Sequence, residues 1–374
     1  LGTYGSDPNA LLRNDGPSFV DVTAAAGVAF GGSTTGITVG DYNNDGYLDL
    51  YLANYSTPGC KLFKNHGDGS FTDVTAAAGV TGQTDTRTSA FTDYNNDGWL
   101  DIFSSHHDFF VISNIMWRNN GDGTFTDVGA SLGLSGEFIG DYFGTAWGDY
   151  NLDGDIDLFA VGHIDKWELL RNDQSATMPA NFIVLELEGT VSNRNAVGAI
   201  VNADIGSLTL TRSIRGGEGY HDFHSMPIEF GLYDAASIQT LEINWPSGLV
   251  ETYTDIPANQ FIYAIEGDSL QTGINSASPL NTGCGLRLDC SPNPCRNHLS
   301  LNYAGEAGMS TELAVFDLSG RLVRLLGSSV MDGSLQSAVW NGFDDSGEKV
   351  PAGVYICRLL TPSEVAARKV TLLP

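Results

Sequence analysis

The sequence predicts an all-β protein: a partial array of propeller-type blades followed by two β-sandwich modules. Three observations carry this. A nine-residue loop rich in Asp and Asn recurs three times, each copy running into alternating, strand-like residues. A longer unit of just over fifty residues frames the loops, a period that marks blade or solenoid arrays. The 374 residues hold 45 glycines and 42% hydrophobic residues, which suits a folded, turn-rich chain with room for two or three domains.

The loops read Asp41-Tyr42-Asn43-Asn44-Asp45-Gly46-Tyr47-Leu48-Asp49, Asp93-Tyr94-Asn95-Asn96-Asp97-Gly98-Trp99-Leu100-Asp101 and Asp149-Tyr150-Asn151-Leu152-Asp153-Gly154-Asp155-Ile156-Asp157. Oxygen side chains occupy positions 1, 3, 5 and 9: Asp41, Asn43, Asp45 and Asp49, then Asp93, Asn95, Asp97 and Asp101, then Asp149, Asn151, Asp153 and Asp157. Calcium takes about six to eight hard oxygen ligands at about 2.3–2.6 Å, so a short loop folding these side chains inward suits it. Glycine at position 6 permits the sharp turn. Position 7, held by Tyr47, Trp99 and Asp155, would add a backbone carbonyl. Asp-Asn-Gly clusters also form plain turns; identical spacing in three copies is what argues for three calcium sites. The loop is not an EF-hand, because position 12 is Leu52 and the closing carboxylate stands at position 9. Leu48, Leu50 and Leu52 alternate with Asp49 and Tyr51, so each loop joins strands.

A net charge of −27 argues against nucleic acid or an anionic membrane surface as partner. No apolar run is long enough to span a membrane. The chain starts at Leu1 without a basic, apolar leader, which is read as a mature product whose export signal has been removed. Four of five cysteines (Cys284, Cys290, Cys295 and Cys357) fall in the last quarter, none with the C-x2-C spacing of a zinc site. Calcium loops and clustered cysteines together predict an oxidising, calcium-rich space outside the cell.

Taken in order, Leu11-Leu12-Arg13-Asn14 leads to Phe19-Val20-Asp21-Val22, Leu62-Phe63-Lys64-Asn65 to Phe71-Thr72-Asp73-Val74, and Met116-Trp117-Arg118-Asn119 to Phe125-Thr126-Asp127-Val128. A fourth copy begins at Leu169-Leu170-Arg171-Asn172 and stops. With Phe30-Gly31-Gly32 and Phe143-Gly144-Thr145, these units resemble FG-GAP (VCBS) repeats over about residues 11–174. That resemblance implies small antiparallel blades with an ion loop between two strands. Three blades and a fragment do not close a ring. Either the next domain or another subunit is expected to cover the gap, and assembly between chains, head to tail, is the favoured expectation.

Residues 178–267 change character. The strand-like Asn181–Gly189, then Arg215-Gly216-Gly217, Phe230-Gly231-Leu232 and Trp245-Pro246-Ser247-Gly248, resemble the ASPIC/UnbV module of the cartilage acidic protein family, read as a β-sandwich. Residues 268–285 are small and polar and read as a linker. From 286 to 374, Leu313–Asp317, Gly320-Arg321-Leu322-Val323, Trp340-Asn341-Gly342-Phe343-Asp344 and Ala352-Gly353-Val354-Tyr355 are similar to the immunoglobulin-like module of hook-capping proteins and to type IX sorting domains. That likeness implies a bacterial source. In such a sandwich Cys295–Cys357 and Cys284–Cys290 are the expected bridges, out of three possible connectivities. Cys60 is left as a buried thiol or an intermolecular link.

No hydrolytic, phosphate or dinucleotide motif is present, so no enzymatic activity is expected. His221-Asp222-Phe223-His224 and His106-His107-Asp108 could ligate a metal, but read better as strand and loop residues. Tyr47, Trp99, Tyr142 and Trp147 could stack on sugars, but aromatics near blade loops more often fill the core. Asn54-Tyr55-Ser56 is the one glycosylation sequon. The expectation is a secreted calcium-binding structural or adhesive protein that self-associates or binds another surface protein. An extracellular carbohydrate-binding protein is the alternative.

Overall fold

The computed structural model describes residues 9–82, 84–106, 114–134, 142–151, 153–162, 167–177, 180–219, 224–268, 270, 287–291, 295–296, 298–305, 308–317, 321–331, 336–361 and 365–373. It forms two compact units, Leu1–Ser276 and Ala277–Pro374.

In the first unit a short hairpin, β1 (Leu12–Asn14) and β2 (Phe19–Asp21), precedes three antiparallel sheets. Sheet 1 runs in order through β3 (Thr34–Gly40), β4 (Asp49–Asn54), β5 (Lys61–Asn65) and β6 (Phe71–Asp73). A single helical turn, α1 (Thr75–Ala78), leads to sheet 2: β7 (Thr86–Thr92), β8 (Asp101–His106), β9 (Ile115–Asn119) and β10 (Phe125–Asp127). Sheet 3 has three strands, β11 (Tyr142–Gly148), β12 (Asp157–Gly162) and β13 (Trp167–Leu170), and ends in the turn α2 (Gln174–Thr177).

The period-two patterning explains how the sheets stack. Alternate residues of one strand point to opposite faces. Tyr51 and Leu62 on one face of sheet 1 therefore pack against Phe91, Ile102 and Trp117 of sheet 2. Phe103 and Met116, at the same repeat positions in sheet 2, pack against Trp147, Leu158 and Ala160 of sheet 3. The equivalent face of sheet 3 is open: Phe159, Val161, Trp167 and Leu169 are 38–70% exposed.

A second module follows in the same unit: β14 (Asn181–Glu188), β15 (Ile200–Asp204), β16 (Thr209–Ser213), β17 (Ile228–Tyr233), β18 (Ser237–Asn244), β19 (Val250–Pro257) and β20 (Gln260–Ile265). They form two sheets, β17-β14-β20 and β16-β15-β18-β19. Ile183, Leu185, Phe230 and Ile262 of one sheet share a core with Val201, Leu210, Leu241 and Ile243 of the other, the sandwich that the alternation predicts. This module packs on the blades: Gly219 N–H donates to Ile37 O on β3, and Ser225 N–H to Trp147 O on β11, at 3.1 and 2.9 Å. The next domain thus covers blade surface within one chain.

The second unit is also a sandwich, built from β21 (Arg287–Ser291), β22 (Leu299–Ala304), β23 (Ser310–Asp317), β24 (Leu322–Val330), β25 (Gln336–Trp340), β26 (Gly353–Leu360) and β27 (Val365–Leu372). Its sheets are β21-β22-β25 and β24-β23-β26-β27, around Leu299, Leu301, Val315, Trp340 and Tyr355. The expected Cys295–Cys357 bridge is not formed; neither cysteine is in a disulfide, nor are Cys60 and Cys290. Residue 295 pairs with Leu372 on the last strand, and it is Cys290 on β21 whose side chain hydrogen-bonds Cys357. Cys284 and most of the 268–285 linker lie outside the described residues. Cys60 is a buried thiol that accepts from Asn54 N–H and donates to Thr86 Oγ1. Among the described residues no helix is long and apolar enough to cross a membrane.

Candidate cation-loop site

In each blade the acidic loop joins the first strand to the second, and its ends meet across the ladder. Gly40 pairs with Asp49, Thr92 with Asp101, and Gly148 with Asp157. The side chains then fold inward by the same bonds three times. At position 1, Asp41 accepts from the N–H groups of Asp45 and Gly46 at 3.1 and 2.8 Å. Asp93 accepts from Asp97 and Gly98 at 3.0 and 2.9 Å, and Asp149 from Asp153 and Gly154 at 3.2 and 2.9 Å. At position 3, Asn43, Asn95 and Asn151 accept from the N–H of position 5. At position 5, Asp45, Asp97 and Asp153 accept from the N–H of position 7. At position 9, Asp49, Asp101 and Asp157 accept from Asn65, Asn119 and Asn172 N–H at 2.7, 2.7 and 2.8 Å. The position-6 glycines sit at φ 88°, 86° and 90°, where a side chain would be strained.

These bonds leave lone pairs on clustered carboxylates, of which Asp41, Asp49, Asp93, Asp101 and Asp157 are buried. Burial pushes Asp49 up to about 8, and the charges of Asp41 and Asp45 add to it. Burial and the Asp97 charge push Asp93 up to about 7. Asp157 is pushed by burial up to about 6, and Asp101 is held well above the usual range by burial with Asp97 and Asp93 beside it. One oxygen of Asp101, Oδ2, is buried without a hydrogen-bond partner. A neighbouring divalent cation would keep such a set ionised. The donors are all hard oxygens, which fits calcium or magnesium better than zinc or copper. Among the described residues no three His, Cys, Asp or Glu side chains form a metal cage by themselves; each loop mixes carboxylates with an asparagine and a backbone carbonyl.

Position 7 has only its carbonyl to offer. Tyr47 packs over Gly67 and Trp99 over Gly121, both in hairpin turns. The buried Asp155 carboxylate accepts from Asn96 Nδ2 and Ser175 N–H at 3.1 and 2.9 Å. Trp147 is a core residue against Phe103, with ring centroids 5.3 Å apart. The side chain of Tyr142, and His107, Asp108, His221 and Asp222, lie outside the described residues.

The loops are also wired to one another, which the loop motif alone does not reveal. Asn44 Nδ2 donates to Gly98 O at 3.2 Å, and Asn96 Nδ2 to Gly154 O at 2.9 Å. Each position-4 asparagine thus reaches the position-6 carbonyl of the next loop. A second tie runs backwards: Asn119 Nδ2 donates to Tyr42 O at 2.8 Å, and Asn172 Nδ2 to Tyr94 O at 2.7 Å. The recurrence of Asn44 and Asn96, and of Asn65, Asn119 and Asn172, was the available signal.

The second module clamps loop 2. Arg212 on β16 is buried; its Nη2 donates to Gly98 O at 3.3 Å and lies 3.9 Å from Asp93 Oδ2. Tyr233 N–H donates to Asn96 O at 2.9 Å. Gly231 is packed so closely on Asp93 and Asn96 that a Cβ there would overlap both.

Residues 1–52 and 42–104 match the FG-GAP-like repeat family model, and residues 189–271 match the ASPIC and UnbV model. The chain therefore carries FG-GAP-like repeats followed by an ASPIC and UnbV domain. It is 26% identical to Cartilage acidic protein 1 of Mus musculus over 299 residues, 75% of this chain and 44% of that protein. It is also 26% identical to the Homo sapiens protein of that name, over 75% of this chain and 43% of that protein. The chain spans less than half the length of these curated relatives. Among solved structures, dimeric latent PorU from Porphyromonas gingivalis aligns at 12% identity and TM-score 0.23, covering 100% of this chain and 29% of that one, too slight a likeness to argue from.

Proposed function

We propose that this is an extracellular, calcium-stabilised protein with a structural or adhesive rather than enzymatic role, each acidic loop holding one calcium ion. The observation that carries the reading is the clustering of carboxylates, in one arrangement, around a buried closing aspartate at three successive loops. Asp41, Asn43, Asp45 and Asp49 and their counterparts would hold the ion, with the carbonyls of Tyr47, Trp99 and Asp155. The ion would supply the positive charge that lets these groups stay ionised inside the fold. The relatives' name, with its reference to cartilage, supports a place outside the cell. Calorimetric titration should find three sites per chain, and excess EDTA should lower the melting temperature, since an ion bound only by the folded state stabilises by mass action. A melting temperature indifferent to EDTA would refute the reading.

One observation favours self-association. On sheet 3, Phe159 lies opposite Leu169 and Val161 opposite Trp167, forming one exposed apolar face. The same positions in sheets 1 and 2 are buried by the next blade. The matching occupant is another blade, here assigned to a second copy in a head-to-tail contact. Sedimentation in millimolar calcium should show association that Trp167→Glu abolishes; a monomer at high concentration would exclude it. Glycan binding has less support, because Trp99 and Trp147 are engaged in packing.

A further inference from the structure

Where the second module meets the blades, a cavity of about 100 Å³ lies among Trp147, Arg212, Ser213, Arg215, Glu218 and His224. All six carry a buried polar atom with no hydrogen-bond partner: Trp147 Nε1, Arg212 Nε, Ser213 Oγ, Arg215 Nη1, Glu218 Oε1 and His224 Nε2. Buried polar atoms are nearly always partnered, so this many on residues that line one space imply a polar occupant. His224 Nδ1 accepts the backbone N–H of Trp147 at 3.3 Å. In a neutral ring that leaves the proton on Nε2, which is therefore a donor. Burial, with Arg215 nearby, lowers the ring to about 4, so it is neutral at physiological pH.

These unpartnered atoms comprise four N–H donors and one carboxylate acceptor, while the Ser213 hydroxyl can act either way. The charged side chains lining the space are the guanidiniums of Arg212 and Arg215 and the carboxylates of Asp93, Glu218 and Glu229. Arg215 is paired with Glu218 at 3.1 Å, and Arg212 lies 3.9 Å from Asp93. Glu229, which also lines the cavity and accepts from Ser225 Oγ at 3.0 Å, is pushed by burial up to about 8 and adds little negative charge. The space suits a group of a few heavy atoms, well below the ~300 Å³ at which drug-sized pockets begin.

We propose that this cavity binds a small oxyanion of the carboxylate or phosphate class, held by Arg212 and Arg215 with Trp147 and His224 as further donors. Paired guanidinium and ring N–H donors are the groups that recognise planar or tetrahedral oxyanions. The site borders loop 2, whose Asp93 also lines it, while Trp147, Arg215 and His224 belong to no loop's ligand set.

The test is thermal shift and isothermal titration with sodium acetate and sodium phosphate against sodium chloride at matched ionic strength. Acetate is run in saturating calcium and in EDTA, phosphate in EDTA, so that a failure of the cation reading shows separately. Acetate or phosphate should raise the melting temperature beyond chloride, and whichever does so names the class. Arg215→Met should weaken binding by at least about tenfold, and Arg215→Lys, which keeps the charge but loses the fork, by less. Arg215→Met leaves the buried Glu218 carboxylate without its cation, so its fold is checked first by a melt in chloride, and Arg215→Lys, which keeps that pair, carries the test if the Met variant does not fold. The proposal is overturned if neither anion exceeds chloride, if both variants bind as the parent does, or if crystals grown with either anion hold only ordered water in the cavity.

Discussion

Replacing Asn96 by alanine cuts the link between the second and third loops. Its side chain is 4% exposed and donates to Gly154 O at 2.9 Å and to the Asp155 carboxylate at 3.1 Å. The first bond contributes about 1 kcal/mol and the second, to a carboxylate, about 1.5–3 kcal/mol. The backbone adds a further cost, because Asn96 sits at φ 58°, a region that Asn tolerates and Ala enters at about 1 kcal/mol. The expected loss is roughly 3–5 kcal/mol, or a fall in melting temperature of about 6–15 °C for a unit this size. Calorimetry in calcium would measure it. Asn96→Gly should recover about 1 kcal/mol by removing the strain while leaving the bonds lost. Asn44→Ala, which loses one bond of 3.2 Å from a less buried side chain, should cost about half as much. A double-mutant cycle of Asn96→Ala with Asp155→Ala should show a coupling of about 1 kcal/mol or more. A melting temperature within about 2 °C of the parent for Asn96→Ala, or a zero coupling, would refute the wiring.

Three further outcomes follow. Glu266 is buried and takes N–H bonds from Thr190, Val191 and Ser192 and hydroxyl bonds from Ser192 and Ser247. Although burial pushes its carboxyl up, those bonds hold it down to about 2, so its stabilising effect is full above about 4.5 and lost as pH falls toward 2. Glu266→Gln should cost roughly 2 kcal/mol in urea melts at pH 7, and less at pH 3. Peptide mapping after exposure to oxidised glutathione should yield a Cys290–Cys357 peptide with Cys60 unlinked; a Cys295–Cys357 peptide would contradict the observed packing. Gly231→Ala should prise β17 from loop 2 and destabilise by about 3 kcal/mol or more, since the added methyl meets backbone as well as the Asp93 carboxylate; an unchanged urea midpoint would show that the contact is looser than it stands.

The blades and their loops were legible because repetition turns weak local signals into strong ones. A single Asp-Asn-Gly turn is ambiguous, but Gly40–Asp49, Thr92–Asp101 and Gly148–Asp157 all close the same ladder position. The terminal sandwich was expected from the order of its motifs, which resemble an immunoglobulin-like module, but its cysteine neighbours were not legible. Alternation fixes which face a residue takes and leaves open which strand lies across from it. The cavity at Arg212 was invisible for a related reason. Its groups come from β11, β16 and the segment before β17, and no spacing within any one of them marks the site.

Arg212 also shows how the second module, entered near residue 178, is tied to the blades. Burial alone lowers the stability of a guanidinium's charge, and here the opposing charges come from Asp93 and Asp41, in the acidic loops of two different blades. A buried cation without such partners is strongly unfavourable. The β16 strand therefore keeps its place only while the loops present their carboxylates to it, and loop 2 in turn has its Asn96 and Gly98 carbonyls engaged by Tyr233 and Arg212. Each module supplies what the other would otherwise bury unpaired, and both lie within the one compact unit Leu1–Ser276.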